Sequence, residues 1–287
     1  MKKQQILVAG TGVLILLVLY FFGNTVPPRK KPDAAANGAS GPAAVKSIGL
    51  QDILQASEAR LTPAQLSYVN RLKQSVVRGD VAAQQLSEYR ALARFWKDSV
   101  QDGYIPYAYY TGEAAKLENT EKSLTFAARL NLEGLEGQED VPLKRWMAGN
   151  ARDLYKKLLL IKPEDDSAKV GLGASYIFGA GGGDPTEVMQ GIQQILEVAR
   201  RDSTNMYAQF MLGYGGMVSG QLDKAVERLT TVIRHEPSNV EALLLLAEVH
   251  QQKGDKADAV TCYQAAKKLI ANPEMVKAID QQIESLK

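Results

Sequence analysis

The sequence predicts an all-α chain, a solenoid of antiparallel helix pairs preceded by a single N-terminal membrane-spanning helix. Three observations carry this. Past residue 49, apolar residues recur at helical spacing with almost no strand alternation. The C-terminal half matches itself when shifted by 34 residues. From Gln4 to Pro28 no side chain is charged, and Ile6 to Phe22 is dominated by apolar residues.

The apolar run comes first in the chain. Its 17 residues, Ile6 to Phe22, reach the lower limit for a helix that crosses a bilayer. Tyr20, Phe21 and Phe22 stand where an interfacial aromatic belt falls. The rival reading is a cleaved signal peptide, but FFGNTVPP offers no A-x-A-like site and no cysteine follows the run. We therefore expect residues 1–23 to be an uncleaved anchor. Lys2 and Lys3 on one side nearly balance Arg29, Lys30 and Lys31 on the other. The short basic tail favours a cytoplasmic N-terminus, a single-pass cell (inner) membrane protein and a C-terminal domain outside the cytoplasm, periplasmic in a two-membrane cell. The basic stop at 29–31 argues the other way.

Residues 24–48 are rich in Pro, Ala, Gly and Ser, too poor in apolar side chains to fold, and read as a tether. A flexible chain of that length spans about 25–30 Å. Charge is unevenly placed. Residues 1–48 hold six of the 34 basic residues and one of the 32 acidic ones, which leaves 28 basic and 31 acidic for the rest. A near-neutral domain of mixed sign lacks the basic field that nucleic acid requires, so no nucleic-acid partner is expected. Cys262 is the only cysteine, so neither an intrachain disulfide nor a thiolate zinc cluster can form.

The repeat is clearest over Val240–Pro273. Leu243, Leu246 and Ala247 fall on one helical face, Gly254 marks a turn, and Ala259, Tyr263 and Ala266 mark a second helix. Leu212-Gly213, Gly220, Ala225, Leu229 and Val232, closed by Pro237, occupy the same places 34 residues earlier. Leu172-Gly173, Tyr176, Ile195 and Val198 follow Pro163 in a 40-residue unit, whose extra six residues we place in FGAGGGDPTE at the turn between helices. Small residues let two helices approach, and large ones from the neighbour fill the space they leave. No such unit buries its face alone, so several must stack.

These residues resemble the tetratricopeptide repeat (TPR), in its membrane-anchored bacterial type. The likeness covers roughly 166–273, with a looser unit before it carried by Ala151, Tyr155, Leu158 and Pro163. It departs at the first large position, which holds Lys169, Gln209 and Leu243 and never Trp. We therefore expect irregular, degenerate repeat-like helices over 49–165 and repeats with a capping helix over 166–287. Within the first region, helices are expected near 63–77, 80–100 and 117–135, with Gly79 at a turn. The aromatic stretch Tyr104–Tyr110 reads either as packing or as a contact surface.

Candidate chemistry is sparse, and no catalytic residue is expected. Gly179–Asp184 looks like a phosphate cradle, but a P-loop needs Gly-Lys-Ser/Thr where Asp184-Pro185-Thr186 stands, and no strand precedes it. His235 and His250 are 15 residues apart with no neighbouring cysteine, so no metal is expected. No G-x-S-x-G elbow occurs, and two histidines give nucleophilic catalysis little to draw on.

The resemblance implies a protein or peptide partner held along the groove lined by the first helices. Mapped onto this chain, the groove positions are Val170, Ala174, Ile177 and Phe178, then Tyr207, Phe210, Tyr214 and Met217, with Ser167, Val218, Glu241, Leu244, Glu248, Gln251 and Gln252 beside them. The Lys/Asn clamp that some family members use to grip a peptide carboxylate is absent. Two alternatives stay open: the chain's own N-terminal helices fill this groove, or a second copy does. Gly213, Gly215 and Gly216 in one helix suggest another backbone close by. The expectation is a tethered binding scaffold without cofactor. The alternative is an assembly or chaperone factor of an envelope machine, and an enzyme is the least supported.

Overall fold

The computed structural model describes residues 48–78, 81–135, 138–180 and 184–286. The anchor and nearly all of the tether lie outside these residues, as do Gly79 and the middle of the glycine run. Among the described residues no helix is long and apolar enough to cross a membrane.

Thirteen helices and no strand occur among the described residues: α1 (Leu50–Glu58), α2 (Pro63–Arg78), α3 (Ala82–Asp98), α4 (Tyr104–Glu118), α5 (Glu121–Glu133), α6 (Val141–Ile161), α7 (Asp166–Gly179), α8 (Pro185–Arg201), α9 (Met206–Val218), α10 (Leu222–His235), α11 (Val240–Lys253), α12 (Lys256–Lys267) and α13 (Pro273–Ser285). Helices α3 to α12 associate as five successive pairs, and the first helices α5, α7, α9 and α11 also touch one another in turn. The solenoid predicted from the 34-residue period is therefore the one observed.

Sequence explains which helix of each pair lies inside. α10 is amphipathic, burying Ala225, Leu229 and Val232 at helical spacing and exposing its charged face. α9 (MYAQFMLGYGGMV) carries no charge at all, and α7 buries ten of its 14 residues. A helix apolar all round must be covered all round, so α7 and α9 sit between neighbours while α8 and α10 form the outer row.

Each of these first helices begins at a short polar side chain that caps it. Asp165, Asn205 and Asn239 each accept from the backbone N–H three residues on, at 2.9 Å. Asn205 and Asn239 are 34 residues apart, so the cap is part of the repeat. Asn239→Ala is expected to cost about 1 kcal/mol, read as a lower midpoint in urea with an unchanged slope.

Glycines set the closest approaches. A Cβ on Gly173 would meet the Gly191 carbonyl oxygen at 2.8 Å, and one on Gly191 would meet the Gly173 carbonyl oxygen at 2.4 Å. The α7 and α8 backbones thus touch through a pair of glycines. The three glycines of α9 behave differently from the expectation. Gly213 faces the Leu229 side chain, with its Cγ 2.7 Å from an added Cβ, and Gly215 faces Ile192 and Ile177 at 2.9 and 3.0 Å. This chain's own side chains take most of that space, and only Gly216 nears backbone, 3.3 Å from the Ala225 nitrogen and the Gln221 oxygen.

Two further expectations are refined. The helix expected near 117–135 is split, because Asn119 turns left-handed (φ 50°) and caps α4, and Thr120 starts α5 by accepting from the Ser123 N–H. The six-residue insertion is shared between loop and helix: α8 has 17 residues where its counterpart α10 has 14. At the first large position of its repeat, Gln209 is buried at 3% exposure. It donates to the Ser203 carbonyl and accepts from the Arg228 guanidinium, both at 2.9 Å, so its amide is satisfied.

Candidate functional site: a cleft across the first helices

A cavity of about 490 Å³ opens on the row of first helices. Leu132 of α5, Tyr155 and Leu158 of α6, Ala168 and Phe178 of α7, and Met206, Tyr207, Phe210 and Met211 of α9 give it an apolar floor. Thr125, Arg129 and Glu133 of α5 form one side, with Asp165 and Ser167 at the α7 start. Glu236, Asn239 and Glu241 close the far end at the α10–α11 turn. Such a volume lies in the range of specific ligand sites, roughly 300–1,000 Å³.

Five of the eight expected groove residues do not line this cleft. Val170 and Ala174 are fully buried and Ile177 is 2% exposed, all within the main apolar cluster. The mapping treated α7 as having one open face. In fact α7 is covered by α6, α8, α5 and α9, and its glycines bring α6 and α8 close. Phe178, Tyr207 and Phe210 do line the cleft. Tyr207 is 42% exposed, the most open of the three. Tyr214 stacks on Phe178 with ring centroids 4.6 Å apart, and Met217 packs on the α10–α11 cluster, so both support the wall from behind.

The sequence reading missed the α5–α6 wall and the Glu236 and Asn239 end. Tyr155 of α6 reaches the cleft beneath Gly171, where an added Cβ would meet its ring at 2.3 Å. Burial, with Tyr207 beside it, raises the Tyr155 phenol well above the ordinary tyrosine range. The missed far end had a signal in the chain, since the caps Asn205 and Asn239, 34 residues apart, stack the start of α11 on the start of α9. No residue of α1 to α4 lines the cleft. The chain's N-terminal helices α1 to α4 therefore do not fill it.

The remaining candidates are elsewhere. Tyr110 of the aromatic stretch is 3% exposed, and Tyr109 lies 5.8 Å from the Trp146 ring, so the stretch packs α4 against its neighbours. His250, Asp255 and Asp258 bring ligand atoms within 4.8 Å of one another at the α11–α12 turn. The Lys253 ammonium, 3.5 Å from the Asp255 carboxylate, already supplies the positive charge there. His235 ends α10, its Nδ1 3.0 Å from the Thr231 carbonyl oxygen.

Comparison with known proteins agrees with this architecture. Residues 218–282 match the family model of the tetratricopeptide repeat. The fold is similar to that of a thermophilic TPR protein from Thermus thermophilus, at 16% identity over 69% of this chain and 98% of that one, with a TM-score of 0.53. Weaker likenesses reach MamA from Desulfovibrio magneticus RS-1 (18% identity, 67% and 96% covered, TM-score 0.44). They also reach YrrB, a TPR protein with an unusual peptide-binding site (12% identity, 73% and 97% covered, TM-score 0.42). The comparison with curated proteins gives no match. Residues 218–282 thus carry tetratricopeptide repeats, and the helices before them continue the same paired stacking.

Proposed function

We propose that this protein is a membrane-tethered scaffold that holds a segment of a partner protein in the cleft across α5, α7, α9 and α11. The observation that carries the reading is the cleft itself: an apolar floor, aromatic side chains on it, and a polar rim. That is the layout of a surface that seats apolar side chains and orients them with a few polar groups. Binding is favoured over catalysis because the cleft lining contains neither histidine nor cysteine, and its phenol at Tyr155 is held protonated by burial. The apolar run Ile6–Phe22 would supply the anchor and residues 24–48 the reach, with the helical domain outside the cytoplasm.

The test is photocrosslinking in cells from position 207 of the full chain, with the adduct identified by mass spectrometry. A foreign protein in the adduct is expected. Tyr207→Ser should weaken that association by about tenfold, the size of a modest interface anchor of about 1.4 kcal/mol, while leaving the melting temperature unchanged. Crosslinks confined to the chain itself would overturn the reading.

A further inference from the structure

The charge around this cleft is one-sided. Four carboxylates line it (Glu133, Asp165, Glu236 and Glu241) against one guanidinium, that of Arg129. Arg129 is already committed, 3.8 Å from Glu133. Asp165 caps α7 and lies 3.6 Å from Lys162, which also pairs with Glu121 at 2.6 Å. Glu236 accepts from the Asn239 side-chain amide at 2.8 Å, and no ion pair to Glu236 or Glu241 is formed by the described residues. The excess negative charge thus sits at the α10–α11 end.

An opposing effect has to be weighed. The N-termini of α7, α9 and α11 open on the cleft, each with about half a positive charge, and the C-terminus of α10 at Glu236 adds about half a negative one. Together they offset about one carboxylate. The lining carries four carboxylates against one guanidinium, so about two negative charges remain. The acidic side also continues past the cleft. Glu248 stands two turns after Glu241 on the same face of α11, about 10.5 Å along its axis.

We propose that the segment seated in this cleft is cationic and amphipathic: large apolar side chains on the floor, with Lys or Arg flanking them toward Glu236 and Glu241. This rests on the cleft being the partner site. An acidic tail is disfavoured by the same charges, and a neutral segment would leave them without a counterpart. The occupant is a separate protein. The chain has its own basic group in Arg29, Lys30 and Lys31, which charge alone would admit. Residues 24–48 nevertheless contain no aromatic, Leu or Met, and their one large apolar side chain, Ile48, stands two residues before α1 and 17 from Lys31, so the basic group has no large apolar neighbour to seat on the floor.

The experiment is selection of a random twelve-residue peptide library displayed on phage against the full-length chain in detergent, followed by affinity measurement on the enriched peptides. Enriched sequences should combine aromatic or Leu residues with a surplus of Lys and Arg. Their affinity should fall about tenfold in Glu236→Gln/Glu241→Gln, and should fall as salt rises from low to physiological strength, where the screening length is about 8 Å. Both variant side chains are at the rim, so the fold is expected to hold, which circular dichroism checks.

Enriched peptides that are neutral or acidic, yet lost in Tyr207→Ser, would overturn the cationic partner and leave the cleft reading standing. No enrichment, or peptides indifferent to both variants, would overturn the cleft reading and this inference with it. Displacement of the enriched peptides by a synthetic peptide of residues 24–48 would make the tether the occupant and overturn the separate partner. A dimer that the double variant converts to monomer, seen by sedimentation, would do the same in favour of a second copy.

Discussion

Gly191→Val is expected to separate α7 from α8, lowering the melting temperature by roughly 6–12 °C and abolishing crosslinking from position 207. The first added carbon would lie 2.4 Å from the Gly173 carbonyl oxygen and 2.7 Å from Ile177 Cγ1. The nearer atom is backbone in the middle of a helix, so no rotamer change relieves the clash and the two helices must part. Overpacking of a core ordinarily costs about 1–3 kcal/mol, and contact with backbone puts this case at the upper end. At about 3 kcal/mol, a domain of this size loses several degrees of stability. The displacement also reaches the cleft, because Ile177 and Ile192 both abut Gly215 of α9. Gly149→Ala in α6 is the control. Nothing lies within 4 Å of its added Cβ, so it is expected to be neutral or to stabilise by a few tenths of a kcal/mol, up to about 1, through helix propensity. Equal melting temperatures for the two variants would mean that the glycine pair does not set the α7–α8 spacing.

That contrast shows what periodicity can and cannot reveal. The 34-residue period and the small-residue pattern gave the helix pairs and their order, because each is a local preference repeated along the chain. The site was less legible. Val170, Ala174 and Ile177 sit at the register expected of groove residues, but register fixes a direction around a helix and says nothing of how many neighbours crowd that direction. Gly171, Gly173 and Gly179 in α7 let Tyr155, α8 and Ala148 close in, and that face is consumed by packing. The α5–α6 wall was hidden for a second reason. Its distance from the later repeats is not the 34-residue period, so no shift of the sequence lays Arg129 or Tyr155 beside Tyr207. Glu236 and Asn239 are turn residues, and their convergence on the cleft follows from the superposition of repeats rather than from any face of a helix.

The apolar interior is divided along the solenoid, and Trp96→Ala is the substitution that should expose the division. Trp96 of α3 is 1% exposed and belongs to a cluster with Leu54, Val69, Leu72, Leu92 and Tyr110, drawn from α1 to α4. The main cluster runs from α4 to α9, and two smaller ones follow to α13. Removing a buried Trp side chain costs about 3–5 kcal/mol. In a stack where each unit touches only its neighbours, that loss falls on the unit that bears it. The helices α1 to α3 should therefore open at lower denaturant while α5 to α13 persist. α4 is the boundary, since it gives Tyr110 to one cluster and Ala115 to the next. It is tied across by the Tyr104 hydroxyl, which donates to the Leu130 carbonyl at 2.5 Å. The chain has two tryptophans, so in this variant Trp146 alone reports, from its place against the main cluster. Far-UV circular dichroism should then lose part of its helical signal before the Trp146 emission moves. Crosslinking from position 207 should survive in native buffer, because no residue of α1 to α4 lines the cleft. Coincident transitions by both probes, with crosslinking lost, would show that the N-terminal helices are energetically one piece with the cleft, and that the stack does not behave as a chain of nearest neighbours.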